Sequence, residues 1–426
     1  MFPKRYAEIL TDRPKKLVNK ALNLFWTGYV IYIVCYMLMI SAVVPAKITY
    51  LQLLGVALFV PPAIYLVRFK IESSYFRFMF VVYTLWSIYI VSRGFEFNKD
   101  YLFATLVEAY GGIFLYLVPF IALFPKNLIY LKKIFNVILI LSVIYLLCDV
   151  VFIKALLASD SDVGKTVVEY FAKIAGIPCG FILLTLAYYS EPKKSKAFLF
   201  KLYVFSVIVL TFLLAAIRAR RGLTFMAANI LILAYFYYNY SFKSNLFFKF
   251  FPLLILFFVS IYAVAVFTDN SQNGMFRNLK GRIKEDTRSD VEDYFYIDLS
   301  QKDWLIGKGI EGKYYCPTGA TEDGYRGVIE TDYLEIILKG GLVNLVLLAL
   351  ITVPAVILGL FYSKNILSKA AAGWIILWML ALYPATVTTF ALNYLLVWIS
   401  IGICYSKTIR NIPEEIMRQY FQYKIL

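Results

Sequence analysis

Histidine is missing from all 426 residues, and charge of either sign is scarce, at 16% of the chain. The first absence removes the commonest catalytic base and the commonest transition-metal ligand together. The second excludes an ordinary water-soluble protein, which carries about 25% charged residues. Cysteine is sparse as well. Cys35, Cys148, Cys179, Cys316 and Cys404 form no Cys-x-x-Cys pair, and four of them lie in or beside apolar segments, which argues against a disulfide framework or a metal site. Gly and Pro, 22 and 14 in number, are at ordinary levels, so collagen and low-complexity disorder are excluded too. No secretory signal is evident at the N-terminus.

What the chain has in excess is apolar surface: 61% hydrophobic residues, 18% aromatic, and a mean hydropathy of +0.71. Its charges sit in short clusters between apolar runs of the length that crosses a bilayer. The expected fold is an all-α polytopic membrane protein of about twelve spans, near 21–43, 50–67, 75–92, 102–124, 134–157, 175–190, 200–217, 222–240, 247–267, 342–362, 371–388 and 391–405. Net charge is +16, from 43 Lys and Arg against 27 Asp and Glu. In such a chain that excess speaks of topology, not of nucleic acid. Lys4, Arg5, Arg13, Lys15, Lys16 and Lys20 precede the first span; Lys193, Lys194 and Lys196, Lys364 and Lys369, and finally Lys407, Arg410, Arg418 and Lys424 recur on the same side. Positive-inside counting therefore puts both termini in the cytoplasm. The expected order is a cytoplasmic segment 1–20, helices 1–9 over 21–267, an extracytoplasmic loop with an interfacial or re-entrant helix over 268–341, helices 10–12 over 342–405, and a cytoplasmic tail 406–426. No internal repeat supports a transporter built of inverted halves.

Three stretches carry residues fit for chemistry. Arg218, Arg220 and Arg221, before Gly222, fall on the outer side, against the charge bias. They are lipid-headgroup contacts or, more sharply, an anion clamp whose guanidinium forks match phosphate oxygens. Arg288 precedes Trp304 and the turn Gly307-Lys308-Gly309; a lone Gly-x-Gly is better read as a turn than as a phosphate loop. The third stretch runs from Glu330 to Gly341. At helical spacing Asp332, Glu335 and Lys339 share one side and Tyr333, Ile336 and Ile337 the other, which describes an amphipathic interfacial helix whose carboxylates stand where the loop returns to the membrane. Glu169 and Lys173, four residues apart, read as a helix-surface ion pair. Glu108, inside the expected fourth span, is costly to bury and a weaker candidate. Trp304, Tyr314, Tyr315 and Tyr325 suit either sugar stacking or anchoring at the interface.

In these stretches the chain resembles the O-antigen polymerase and O-antigen ligase (Wzy/WaaL-like) superfamily of integral-membrane GT-C glycosyltransferases. Ala216 to Ala227 looks like the family's arginine-glycine element, with Arg221 and Gly222 in register. Arg288 with Leu305 to Gly309 looks like its extracytoplasmic arginine and Gly-x-Gly element. Glu330 to Gly341 looks like its His-Asn-x-x-Leu segment and glycine pair, with Leu334 and Gly341 matching, and Gly176 to Gly180 is a fainter match. The likeness covers about 60% of the chain by spacing and topology, and Glu330 stands where ligases carry a histidine. It implies transfer of a glycan from a polyprenyl diphosphate to a sugar hydroxyl of a lipid-linked repeat unit, with inversion, in a bacterial inner membrane. Implied partners are the lipid-linked donor and acceptor, membrane lipids and a chain-length-regulating co-polymerase. Because arginines would stabilise the leaving diphosphate, neither metal nor cofactor is expected. Arg218, Arg220, Arg221 and Arg288 would hold the diphosphate, Glu330 would be the leading base with Asp332 in reserve, and Tyr333, Trp304 and Lys339 would contact substrate. Polymerase is preferred to ligase because the histidine is missing; a polysaccharide flippase is the alternative of another class, disfavoured because charge gathers at the outer face.

Overall fold

The computed structural model describes residues 16–41, 46–69, 71–157, 162–189, 195–218, 220–241, 287–317 and 323–425. These form an all-α protein, in which six helices are long and apolar enough to cross a membrane: Lys16–Ile40, Thr49–Leu66, Ser74–Ser92, Leu128–Val151, Ala197–Ile217 and Asp332–Phe361. Ile113–Leu123, Ile366–Ala381 and Leu392–Tyr405 are shorter apolar helical stretches. Large apolar side chains face outward along them, with Leu85 62% and Val151 73% exposed, as bilayer solvation allows. Several helices start where a polar side chain accepts the amide three residues on: Ser73 from Phe76, Asn98 from Tyr101, Asn127 from Tyr130, Asn365 from Ser368. The expected ninth span, 247–267, lies outside the described residues.

The first two helices cross with backbones almost touching. A Cβ at Gly28 would stand 2.8 Å from the Gly55 carbonyl oxygen, and one at Gly55 equally close to that of Gly28, so only small residues admit the crossing. Beside it Tyr32, Phe59 and Phe114 surround Phe390, with ring centroids 5.4, 5.7 and 5.1 Å away. Phe390 is anchored again where its amide donates to the Ala109 carbonyl at 2.7 Å.

Three expected spans are interrupted. The fourth breaks at 108–112, between Lys99–Val107 and Ile113–Leu117. There the Glu108 carboxylate accepts from the Tyr110 amide and the Tyr36 hydroxyl, both at 2.7 Å. The sixth is a π-helical run, Val168–Gly176, followed by Cys179–Leu184. Pro178 brings no amide to continue the ladder, and the Ile177 amide reaches five residues back to Ala172. The eleventh ends at Ala381, leaving residues 382–391 non-helical around Pro384.

The polar segment before Asp332 is folded over its described parts. Helices Thr287–Asp298 and Gln301–Ile306 and a two-stranded antiparallel hairpin, Tyr314–Tyr315 with Tyr325–Arg326, enclose a second core of Phe295, Leu299, Tyr314, Cys316, Ile329, Leu334, Ile337 and Leu338. That core packs on the head of the helix Asp332–Phe361, which bends at Gly341 (φ 70°). The Gly307-Lys308-Gly309 turn docks on this bend. Lys308 and Gly309 amides donate to the carbonyls of Leu338 (2.7 Å) and Lys339 (3.0 Å), the Ile310 amide to Ile90, Arg93 Nη1 to Ile306, and Trp86 Nε1 to Gly340. The turn's amides are thereby used within the fold, so the Gly-x-Gly element serves close packing and not phosphate binding. A Cβ at Gly309, where φ is +87°, would overlap the Arg93 carbonyl oxygen. Gly309→Ala should therefore lower stability by more than about 2 kcal/mol. Gly111→Ala, with nothing within 4 Å of the added carbon, is the control. Melting temperatures in detergent decide the matter; equal values for the two variants would contradict this docking.

Candidate functional site

The interrupted segments meet at one polar cluster. Its centre is Asp332, fully buried at the head of its helix. Oδ2 accepts from the Thr388 hydroxyl (2.6 Å) and from the amides of Thr388 (2.8 Å) and Val387 (3.2 Å). Oδ1 is also buried and, among the described residues, has no hydrogen-bond partner. Three donors on one oxygen fix the carboxylate's orientation, while the other oxygen keeps its acceptor capacity.

The non-helical segment that Asp332 grips reaches the other members. The Asn393 side chain donates to the Lys173 carbonyl at 2.5 Å, and Pro384 and Ala385 lie against Gly222, where a Cβ would overlap the Pro384 carbonyl. The Thr386 hydroxyl donates to the Glu330 carbonyl at 3.4 Å. Gly222, Lys173 and the pair Glu330 and Asp332, from three separate stretches of the sequence, thus contact residues 384–393. Lys173 interacts electrostatically with Glu169, Asp332, Arg220 and Glu330. Its Nζ lies 4.9 Å from the Tyr110 ring centroid, a cation–π arrangement.

The arginines part company. Arg220 pairs with Glu169 at 2.8 Å, so Glu169 bridges between helices instead of pairing with Lys173 along its own. Arg221 is exposed at the start of the helix Arg221–Ser241. Arg218 is buried, and its Nη2 donates to the Ala155 carbonyl beside Gly164, which directs it toward the helix Ile153–Leu157. Arg288 begins the helix Thr287–Asp298, and its side chain lies outside the described part.

The segment from Asp332 to Gly340 is not an amphipathic surface helix. Both faces are covered, because the polar side binds the preceding loop. Glu335 accepts the Ile329 amide (3.0 Å) and stands 3.6 Å from Lys339, whose Nζ donates to the carbonyls of Gly312 (2.9 Å) and Gly327 (2.8 Å). Lys339 is therefore a stitch between loop and helix. Glu330 is exposed at the rim. Beside it runs an aromatic ladder. Trp304 and Tyr296 stack with centroids 5.9 Å apart and planes 7° apart, the hydroxyls of Tyr296 and Tyr333 are 3.4 Å apart, and Tyr333 stacks on Tyr383 at 6.5 Å. Tyr296 is 43% and Tyr383 65% exposed, so the ladder offers ring surface outward.

Lys173, Tyr110, Thr388 and Glu169 were not legible as site members, since their charges and hydroxyls gain meaning only where three spans break. The nearest sequence signal is Gly176 with Pro178, which interrupts the apolar run beside Lys173. Asp332→Ala should lower stability by about 1.5–3 kcal/mol, the range for hydrogen bonds to a charged group. Asp332→Asn, which keeps an acceptor for Thr388, should lose less. Equal losses in detergent melts would show that the bonds to residues 387 and 388 do not hold the segment.

Comparison with protein-family models, with curated proteins and with solved structures finds no match to this chain.

Proposed function

We propose that this chain is a polymerase of a bacterial surface polysaccharide, spanning the inner membrane about twelve times with both termini in the cytoplasm and the Glu330 rim of the Asp332 cluster at the outer face. The observation that carries the reading is the Asp332 carboxylate, immobilised through Oδ2, with Oδ1 unbonded among the described residues. A general base needs that arrangement: fixed orientation and one oxygen in reserve. The exposed ladder from Trp304 to Tyr383 supports a glycan as the ligand, since flat rings match the apolar faces of sugars.

In the proposed step a hydroxyl of the acceptor sugar gives its proton to Asp332 Oδ1 as its oxygen bonds to the donor's anomeric carbon. The bond from that carbon to the diphosphate oxygen breaks on the opposite face, and its electron pair leaves with the polyprenyl diphosphate. Arg221 and the outward edge of Arg220 neutralise the charge gathering there, with Arg288 assisting; these fixed cations are the basis for expecting transfer without added metal. Arg218 is left out of the clamp because its guanidinium faces Ala155. Asp332 replaces Glu330 as the leading base, since Glu330 is exposed at the rim, where it suits recognition of acceptor hydroxyls. Ligase-type transfer to another acceptor would use the same groups.

Purified protein in liposomes with lipid-linked repeat units and a chelator is expected to lengthen chains. Asp332→Asn should reduce the rate about 10²- to 10⁴-fold, the usual worth of a general base. Arg221→Ala should reduce it strongly and Glu330→Gln less than Asp332→Asn. Full transfer by a folded Asp332→Asn protein would remove Asp332 as the base; translocation without a new glycosidic bond would make the chain a flippase.

A further inference from the structure

Away from the polar cluster, the consecutive helices Ser195–Ile217 and Arg221–Ser241 enclose a groove of about 340 Å³. Two stripes at helical spacing wall it: Phe198, Leu202 and Phe205 on the first helix, Leu231, Ala234 and Tyr238 on the second. A third helix would fill the space between them, but the sixth expected span ends early. After Cys179–Leu184 the chain tightens into the turn Leu186–Tyr189. Leu183 and the small Ala234, both buried, are left as the floor, while Phe198, Leu202 and Phe205 are exposed, so the groove opens on the outside of the bundle. Lys201 is the one charged residue lining it among the described residues, and its Nζ lies 5.7 Å from the Tyr238 ring centroid. Both stand near the helix ends, Lys201 toward the start of one and Tyr238 toward the close of the next. That is the end which Lys193, Lys194 and Lys196 mark in the sequence.

We propose that this groove binds an anionic phospholipid, with one acyl chain between the two stripes and the glycerophosphate against Lys201. Charge complementarity selects the occupant. The apolar walls accept a hydrocarbon chain and offer a polar ligand little in return for its lost water. At the helix ends the phosphate of a lipid is the counter-charge within reach, and Tyr235 and Tyr238 have the amphipathic rings that settle at headgroup level. A choline headgroup would bring its own cation up to Lys201, whereas a glycerol headgroup brings none. Roughly 25 Å of helix separates Tyr238 from Arg221, so the groove is distinct from the Asp332 cluster and the proposal does not depend on sugar transfer.

The test locates the lipid directly. Phosphatidylglycerol and phosphatidylcholine, each with a photoactivatable diazirine in one acyl chain, are reconstituted separately with the full-length protein, and peptide mass spectrometry maps the crosslinks. Bulk lipid reaches the exposed walls in any case; only a chain seated in the groove reaches Leu183 and Ala234. Labelling of these two residues should be roughly fivefold stronger with the phosphatidylglycerol probe, the worth of one lysine at an anionic headgroup. Lys201→Gln should bring the two probes level. Leu202→Trp, which fills the groove from an exposed wall, should abolish labelling of the floor by both probes, whereas Ile232→Trp, on an exposed residue outside the lining, should leave it unchanged. An unlabelled floor in the wild-type protein would overturn the proposal, as would equal labelling by the two probes or a preference that survives in Lys201→Gln.

Discussion

The site hangs on the pairing of one buried carboxylate with the non-helical segment between two apolar helices. Asp332 takes two amides and a hydroxyl from residues 387 and 388. Residues 382–391 break the helical ladder within the bundle; the amides of Leu382 and Ala385 still reach the carbonyls of Trp378 and Ala381, and later ones need partners elsewhere. Asp332 satisfies two of them and Ala109 a third, through Phe390. Phe390 then fills the aromatic nest of Tyr32, Phe59 and Phe114, so the same segment is fastened to the apolar core at one end and to the polar cluster at the other.

The folded loop presents Asp332 at the right place. Because Gly341 turns the chain with positive φ and Gly307 and Gly309 admit close approach, the head of the helix Asp332–Phe361 sits bent against the loop's small core. Lys339 and Glu335 are used up in that contact. The result is a division of labour along the stretch from Glu330 to Gly341: residues toward Gly341 hold the loop, and those toward Glu330 face the cluster. Gly222 packs on Pro384 of the same segment, and Arg220, two residues before it, pairs with Glu169.

Much of this was readable from the residues themselves. Several apolar runs are helical near their expected bounds, Thr49–Leu66 despite its internal Pro61 and Pro62, and the glycine-bearing stretches Leu305–Gly309 and Glu330–Gly341 do meet. Hydropathy alone was blind to the interruptions at Glu108, Gly176 and Pro384, because a broken span and a continuous one have the same mean hydropathy. Those breaks are where Tyr110, Lys173 and Thr388 enter the site. The three arginines look equivalent in a row, yet Arg218 turns toward Ala155, Arg220 binds Glu169 and Arg221 stays exposed, since Arg218 follows the end of one helix and Arg221 opens the next.

A structure of the protein with an uncleaved lipid-linked donor and an acceptor sugar bound tests the central claim most directly. The account predicts the acceptor hydroxyl within about 3.2 Å of Asp332 Oδ1, the diphosphate against Arg220 and Arg221, and sugar rings along the Trp304 to Tyr383 ladder. A donor bound elsewhere in the bundle, with Asp332 still enclosed and remote from any sugar, would contradict it.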